Sequence, residues 1–492
     1  MDRYFKRIMV KYLAVVLCWL ALELVPGIVW SQDYHAIQGS NHSGALGVHH
    51  NPASMVNTPY PWDFTLFGVQ AKYATNAVTI VDYSLLSNPM NSAFVINSGT
   101  YPRKGKEQVN LNLLNARVAL GQRRAIGFGM NIRAITDIRS SSYNYADTIG
   151  SADEFLSINL GTEPFSIKAR SMALLELYAS YGQTIFENTN IRLNAGITVK
   201  INRGLSGARV DLNDVQHGFE VIDGRPVNVV RGGSLIYGYS SNYDRWQDGA
   251  STNANLRNFM TATRTGFSVD GGLELLIKDG GEPGALVDEE AYYDYTWKFG
   301  LSLLDAGWGQ YRYGVESRSV LVPANGITGP ALDAKFDSTV NSLPTFNDSL
   351  ATFASVRGLG GNYKIFSPAR IVFNADHYLF DAFYINGELS IPVSGLLGEN
   401  RLYMKDMNLI RITPRWETRR LGFYLPLQYN SANKIWVGAA VKLGPLLMGF
   451  HNLGNIFSKN KMASGGGYLA LTIRPVSITG SRKSSGLACP IL

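Results

Sequence analysis

The sequence predicts an all-β fold: a transmembrane antiparallel β-barrel of about 14 strands with an N-terminal plug-like segment and long outer loops. Three observations predict it. Segments of about 11 to 13 residues alternate apolar with polar side chains, longer than the five or six residues usual for soluble strands and long enough to cross a bilayer at a tilt. Connections between them are short and long by turns, as in bacterial barrels with tight periplasmic turns and long outer loops. The chain is poor in charge, 17% against 46% hydrophobic, yet after position 31 it has no run of about twenty apolar residues that a spanning helix would need.

Taken in order, residues 1–31 read as a signal peptide. Arg3, Lys6, Arg7 and Lys11 precede an apolar stretch from Tyr12 to Val25, and Ser31 supplies a small residue before Gln32, where cleavage is expected. An uncleaved anchor helix is the alternative. Cys18 lies inside the apolar run behind Leu17, which argues against lipid attachment. After cleavage Cys489 is the one thiol left, so no internal disulfide forms. Cleavage also removes four basic and two acidic groups, leaving a mild positive charge with no basic block; nucleic acid is not an expected partner.

Residues 32–62 are expected to form a plug or periplasmic segment. They hold His35, His42, His49 and His50, whose spacing matches no zinc pattern, so no metal is expected and the imidazoles read as hydrogen-bonding groups. The barrel is placed at 63–476, with strands near 63–73, 108–120, 126–133, 170–182, 190–202, 267–278, 294–304, 369–379, 382–392, 407–416, 419–428, 434–443, 446–454 and 466–475. Alternation is plain at 190–202, where Ile191, Leu193, Ala195, Ile197, Val199 and Ile201 interleave with Arg192, Asn194, Gly196, Thr198, Lys200 and Asn202. Long loops at 137–168, 204–263 and 307–366 all fall on one side. Tyr292, Tyr293, Tyr295, Trp297, Trp308, Tyr311, Tyr313, Trp416, Tyr424, Tyr429 and Trp436 crowd strand ends, where an interfacial girdle would sit. The 50 glycines suit a sheet that must bend sharply to close. Residues 477–492 read as a C-terminal periplasmic tail.

If the apolar faces meet lipid, Arg133, Arg192, Asn194, Lys200, Asp270, Glu274 and Lys278 point inward. They are the candidate lumen-lining or ligand-contacting residues, and their alternative role is a hydrogen-bonded filling. Asp376-His377 would need a nucleophile and carries no Gly-x-Ser-x-Gly elbow, so no catalytic residue is assigned and the chain is not read as an enzyme. Gly358, Gly360 and Gly361 lack the Lys-Ser or Lys-Thr of a phosphate loop and read as loop glycines. No cofactor is implied.

Before the first strand the chain reads Gly44-Ala45-Leu46-Gly47-Val48-His49-His50-Asn51-Pro52-Ala53-Ser54-Met55, then Pro61-Trp62-Asp63-Phe64. This element, with Asn51, Pro52 and Ala53 as a plug motif, resembles that of the FadL and PorV group of outer-membrane barrels. Lys298-Phe299-Gly300-Leu301-Ser302-Leu303-Leu304-Asp305-Ala306-Gly307, Thr413-Pro414-Arg415-Trp416-Glu417-Thr418-Arg419-Arg420, Gly422-Phe423-Tyr424-Leu425-Pro426-Leu427, 437–446 and the Cys489-Pro490 tail look like a narrower Bacteroidetes-type family, domain of unknown function 5723. The resemblance implies a multi-pass barrel in the cell outer membrane and no substrate. It frames two expectations. One is a FadL-like passive conduit for hydrophobic or small amphipathic solutes, with an apolar pocket under the loops. The other is a PorV-like surface platform or secretion accessory that meets an envelope protein through loops such as Gly232 to Tyr239, with Tyr243 and Trp246. A general porin is disfavoured, since about 14 strands leave less room than the 16 to 18 of porins.

Overall fold

The structure, a computed structural model, describes residues 34–82, 84, 92–278, 295–323, 325–398, 401–406, 409–430, 434–454 and 461–475. The signal peptide at 1–31, Tyr292, Tyr293 and the tail from 477 lie outside the described residues.

Fourteen wall strands form a closed antiparallel barrel. They are β1 (Trp62–Thr75), β2 (Gly99–Ala119), β3 (Arg124–Tyr145), β4 (Phe165–Glu187), β5 (Ile191–Ile222), β6 (Thr265–Ile277) and β7 (Trp297–Arg312). After them come β8 (Arg370–Phe380), β9 (Phe383–Pro392), β10 (Leu409–Glu417), β11 (Leu421–Tyr424, resumed at Leu427–Asn430), β12 (Lys434–Val437, resumed at Ala439–Leu443), β13 (Leu446–Phe450) and β14 (Ser464–Ile473). Closure is made by β14 on β1, from Phe64 opposite Ile473 to Ala74 opposite Ser464. Pairing the last strand with the first removes the wall's free edges, the groups a membrane could not satisfy.

Alternation sets which face meets lipid. On β5, Ile197, Val199 and Ile201 are exposed while Arg192, Asn194, Thr198, Lys200 and Asn202 are buried. The same phase holds on β10, where Ile410 and Ile412 face out and Arg411, Thr413 and Arg415 face in. Connections sort by end: β2–β3, β4–β5, β8–β9, β10–β11 and β12–β13 turn tightly at one end, and the connections carrying the long insertions leave the other. Asp381 and Ala382 make the β8–β9 turn with left-handed backbone, φ 39° and 68°.

Strands β2 to β5 run 21, 22, 23 and 32 residues, about two to three times the span a tilted strand needs. The predicted loops 137–168 and 204–263 therefore contain strand continuations that stand beyond the membrane. There both faces meet water or protein, so no greasy-and-wet alternation marks them. On these extensions sits a folded cap with α1 (Ala152–Ile158), α2 (Thr252–Ala262), α3 (Gly329–Lys335) and α4 (Leu343–Ala351). Its sheet adds Ser234–Tyr239, Arg318–Leu321 and Ser355–Gly358 to the upper part of β5. Two small cores hold it, Leu156 with Val230 and Ile327, and Tyr237 with Val320 and Leu350. The segment predicted as a Gly-rich outward loop at 232–239 is thus mostly a cap strand with Tyr237 buried, because it gains a partner on each side. Tyr243 packs edge-on against Phe259, while Trp246 is exposed.

The girdle expectation needs correction. Trp297, stacked on Phe299 and His377, and Trp416, stacked on Phe423, do face outward near the short-turn end. Tyr295, Tyr311, Tyr424 and Trp436 are buried inside the barrel. For the tyrosines the reason is the phenol: Tyr424 donates to Glu417 at 2.6 Å and Tyr295 donates to Asp376, and neither carboxylate would be found in lipid.

Candidate functional site

The lumen holds a folded strap. Residues 34–60 lie inside the barrel with three short 3₁₀ turns, His35–Ile37, Gly44–His49 and Pro52–Asn57, and most of them are buried. Asn51 starts the third turn: its backbone is extended, its Oδ1 accepts from Ala53 N at 2.9 Å, and Pro52 takes the first helical position, where a missing N–H costs nothing. The Asn51 amide also donates to the Leu273 carbonyl at 2.9 Å on β6. Asn51, Pro52 and Ala53 thus form a turn that docks on the wall.

The wall is shaped to the strap by missing side chains. A Cβ at Gly196 would lie 2.4 Å from the Pro52 carbonyl carbon, one at Gly272 would lie 2.0 Å from Asn51 Oδ1, and one at Gly182 would lie 2.9 Å from Met55 Cγ. Buried apolar clusters join strap and wall at two flanks. Tyr34, Ala36, Ile37 and Leu46 pack on Tyr424, Ala440, Leu447, Tyr468 and Ala470 of β11–β14, and Val48, Met55 and Val56 pack on Ala125 and Tyr178 of β3 and β4. Polar contacts accompany them. Arg117 donates to the Met55 and Tyr60 carbonyls at 2.6 and 2.8 Å and pairs with Asp63 at 3.4 Å. Ala45 N donates to Asp63 at 2.5 Å, Ser40 to Glu417 at 2.6 Å, and Lys298 to the Gly39 carbonyl at 2.6 Å and to Asn41 at 2.9 Å.

The seven residues predicted to face inward divide into two groups. Arg133, Lys200 and Asp270 gather around Asp305 nearer the cap. Arg133 bridges Glu176 and Asp305 at 2.6 and 2.8 Å, Lys200 bridges Asp270 and Asp305, each at 2.8 Å, and Arg370 reaches Asp305 at 3.3 Å. Arg192, Asn194, Glu274 and Lys278 gather nearer the short-turn end. Arg192 and Lys278 pair with Glu187 at 2.6 and 2.8 Å, and Glu274 accepts from Asn57 of the strap and from Asn194. Each group is a neutralising network, the arrangement that lets buried charge persist.

A third network escaped the sequence reading. Arg415 forks onto Asp376 at 2.5 and 2.8 Å and reaches Glu417 at 3.4 Å, Lys442 pairs with Glu417 at 2.8 Å, and Arg411 pairs with Glu388. Its β10 members were available from the alternation of 409–417. Asp305 was not, because Leu304 and Asp305 are both buried: the β6–β7 register slips there, and Asp305 takes a left-handed φ of 59°. Asp376 points inward while His377 stacks on Trp297 outside, so these neighbours sit on opposite faces of the wall and do not form a dyad. Of the strap histidines, His42 shares a hydrogen bond with Tyr60 at 2.9 Å and His49 packs edge-on against Tyr178. Among the described residues no three His, Cys, Asp or Glu side chains converge in the manner of a metal site.

Two cavities of about 20 Å³ each, room for about one water, lie between strap and wall. Both touch Gln38, His50 and Val372.

A family model described as a family of unknown function, DUF5723, matches residues 52–451. No curated protein matches the chain significantly. Solved structures that resemble it include the Ralstonia pickettii toluene transporter TbuX, 11% identical, with TM-score 0.40 over 88% of this chain and 94% of that one. A Pseudomonas aeruginosa FadL homologue is 9% identical, with TM-score 0.40 over 91% and 98%. The Pseudomonas putida toluene transporter TodX is 10% identical, with TM-score 0.35 over 90% and 93%.

Proposed function

The chain belongs to the DUF5723 family, a membership that carries no activity, and from the barrel's own construction we propose that it is a gated passive conduit of the outer membrane for small polar or amphipathic solutes. One observation carries this reading: a separate strap, residues 34–60, fills much of the lumen, alongside wall side chains that meet across it, such as Arg133 with Asp305. A segment that is not part of the hydrogen-bonded wall, joined to it where Tyr60 runs into β1, can shift while the wall stays intact. The short-turn end is read as periplasmic and the cap as external. The polar lining argues against a purely hydrocarbon cargo, since stripping water from apolar solutes gains nothing against Arg, Asp and Asn side chains.

A second reading, a surface platform, draws on the cap, whose hairpin Gln216–Arg231 presents exposed Phe219 and Val221. One experiment separates the two. Planar-bilayer conductance is recorded for the mature protein and for a variant lacking 34–57. Steady conductance in the variant, absent or smaller in the intact protein, is the expected result. If both stay closed, the conduit reading falls and the platform becomes the working model.

A further inference from the structure

The outside of the wall shows where lipid ends. On β7 the outward side chains run from Trp297 through Phe299, Leu301 and Leu303 to Trp308. The two tryptophans are eleven positions apart, one of them taken up by the bulge at Asp305. That is about 33 Å along the strand and, at a tilt of about 40°, about 25 Å along the membrane normal, the height of an apolar band. At the cap end of the band the register lines up an aromatic row, Phe267 opposite Trp308 and Trp308 opposite Phe366. One step nearer the cap the same face turns cationic. Arg203 lies opposite Thr265, Lys364 lies opposite Gln310, and Arg312 follows one step further out. All three point outward, because Asn202, Tyr311, Tyr363 and Ile365 between them are buried on the inner side. Arg203 donates to the Thr263 and Thr265 hydroxyls at 2.7 and 2.9 Å, Lys364 Nζ sits 4.5 Å over the Trp308 ring, and Arg401 Cζ sits 5.6 Å over Phe366. Among the described residues none of these four cations pairs with a carboxylate. The outward positions of 191–203, 265–277, 297–312 and 362–366 hold no Asp or Glu.

We propose that this face, β5 to β7 with the strand Asn362–Phe366, binds a phosphorylated lipid of the outer leaflet. Its phosphate lies between Lys364 and Arg312, with Arg203 as a fixed positive charge beside them, and its acyl chains run down over Trp308, Phe267 and Ile201. The charge pattern asks for an anion: Arg312 and Lys364 are diagonal neighbours across two strands, about 7–8 Å apart, and like charges at that distance repel unless an anion lies between them. Position selects a lipid over a free anion. The cations stand where the apolar band ends, so a phosphate held there is at headgroup level and its chains continue onto the lipid-facing wall, while Lys and Arg stems cover the apolar edge. A protein partner would first have to strip lipid from the aromatic row. Such a site is independent of what the lumen conducts.

The test incubates the folded mature barrel, in a neutral detergent, with dioleoyl phosphatidic acid or with dioleoylglycerol, which has the same chains and no phosphate. The lipid that stays with the protein through a sizing column is counted, and unboiled gel mobility verifies a folded barrel in each case. Wild type is expected to retain phosphatidic acid and not dioleoylglycerol. Lys364→Gln with Arg312→Gln should lower that retention about tenfold, as loss of charged hydrogen bonds does. Lys364→Arg with Arg312→Lys should keep it. Arg124→Gln, which removes an exposed cation at the short-turn end, should leave it at the wild-type level. If the glutamine pair retains as much as wild type, or the Arg124 variant loses as much as the pair, the cations do not form a site and the proposal falls. Dioleoylglycerol retained as well as phosphatidic acid would mean that the aromatic row alone holds lipid, and the phosphate site falls. Displacement of phosphatidic acid by inorganic phosphate at equal concentration would make this a free-anion site and overturn the choice of a lipid.

Discussion

Asp305 compresses the residue-scale argument into one position. Its carboxylate, 2% exposed, meets Arg133 and Lys200 at 2.8 Å and Arg370 at 3.3 Å, and its N–H donates to Asp270 at 2.7 Å. Removing one partner from such a buried cluster strands the others, a loss of about 3–5 kcal/mol. Asp305→Asn is the informative change, because Asn tolerates the left-handed φ and the bulge survives. The unfolding midpoint in urea should fall clearly in Asp305→Asn relative to wild type; an unchanged midpoint would mean that the cluster is wet and contributes little. This position also marks where reading the sequence stops. Arg133, Lys200 and Asp270 could be placed inside from alternation, but a bulge breaks the alternation at the residue that joins them. The interior tyrosines failed for another reason: a Tyr at a strand end fits an interface or a carboxylate equally, and only the partner, Glu417 for Tyr424, decides.

Among the elements, β5 shows why some strands were legible and others only in part. Over 191–203 lipid on one side and the charged lumen on the other impose a two-residue period. Further along the strand that contrast disappears, and with it the signal, although the hydrogen-bonded ladder runs on to Ile222. The same contrast makes substitutions depth-dependent. Ile197 is 49% exposed and Val221 is 68% exposed on one strand, yet the first faces lipid and the second faces water. Lys at 197 should cost about 2–4 kcal/mol in folding into vesicles, as charged residues do near a bilayer midplane. Lys at 221 should cost nothing measurable. Equal effects at the two positions would displace the membrane from where this reading puts it.

At the scale of the whole molecule the question is how far barrel and strap depend on one another. The wall's ladder is continuous without the strap, β14 closing on β1. Its charge networks are also largely self-sufficient: Lys442 with Glu417, Arg415 with Asp376, Arg411 with Glu388 and Lys200 with Asp305 are all wall-to-wall pairs. The strap adds partners for a few groups, chiefly Lys298 and Arg117, and covers the tyrosines of β11–β14. If it leaves, water enters and hydrates the exposed charges, so the penalty is the lost apolar contact and not unpaired charge in a dry interior. A chain lacking 34–57 is therefore expected to refold in detergent as a heat-modifiable barrel with wild-type β-sheet circular dichroism and a lower unfolding midpoint. Failure to form any barrel would make the strap part of the folding core, and a segment the wall needs in order to close could not serve as its gate.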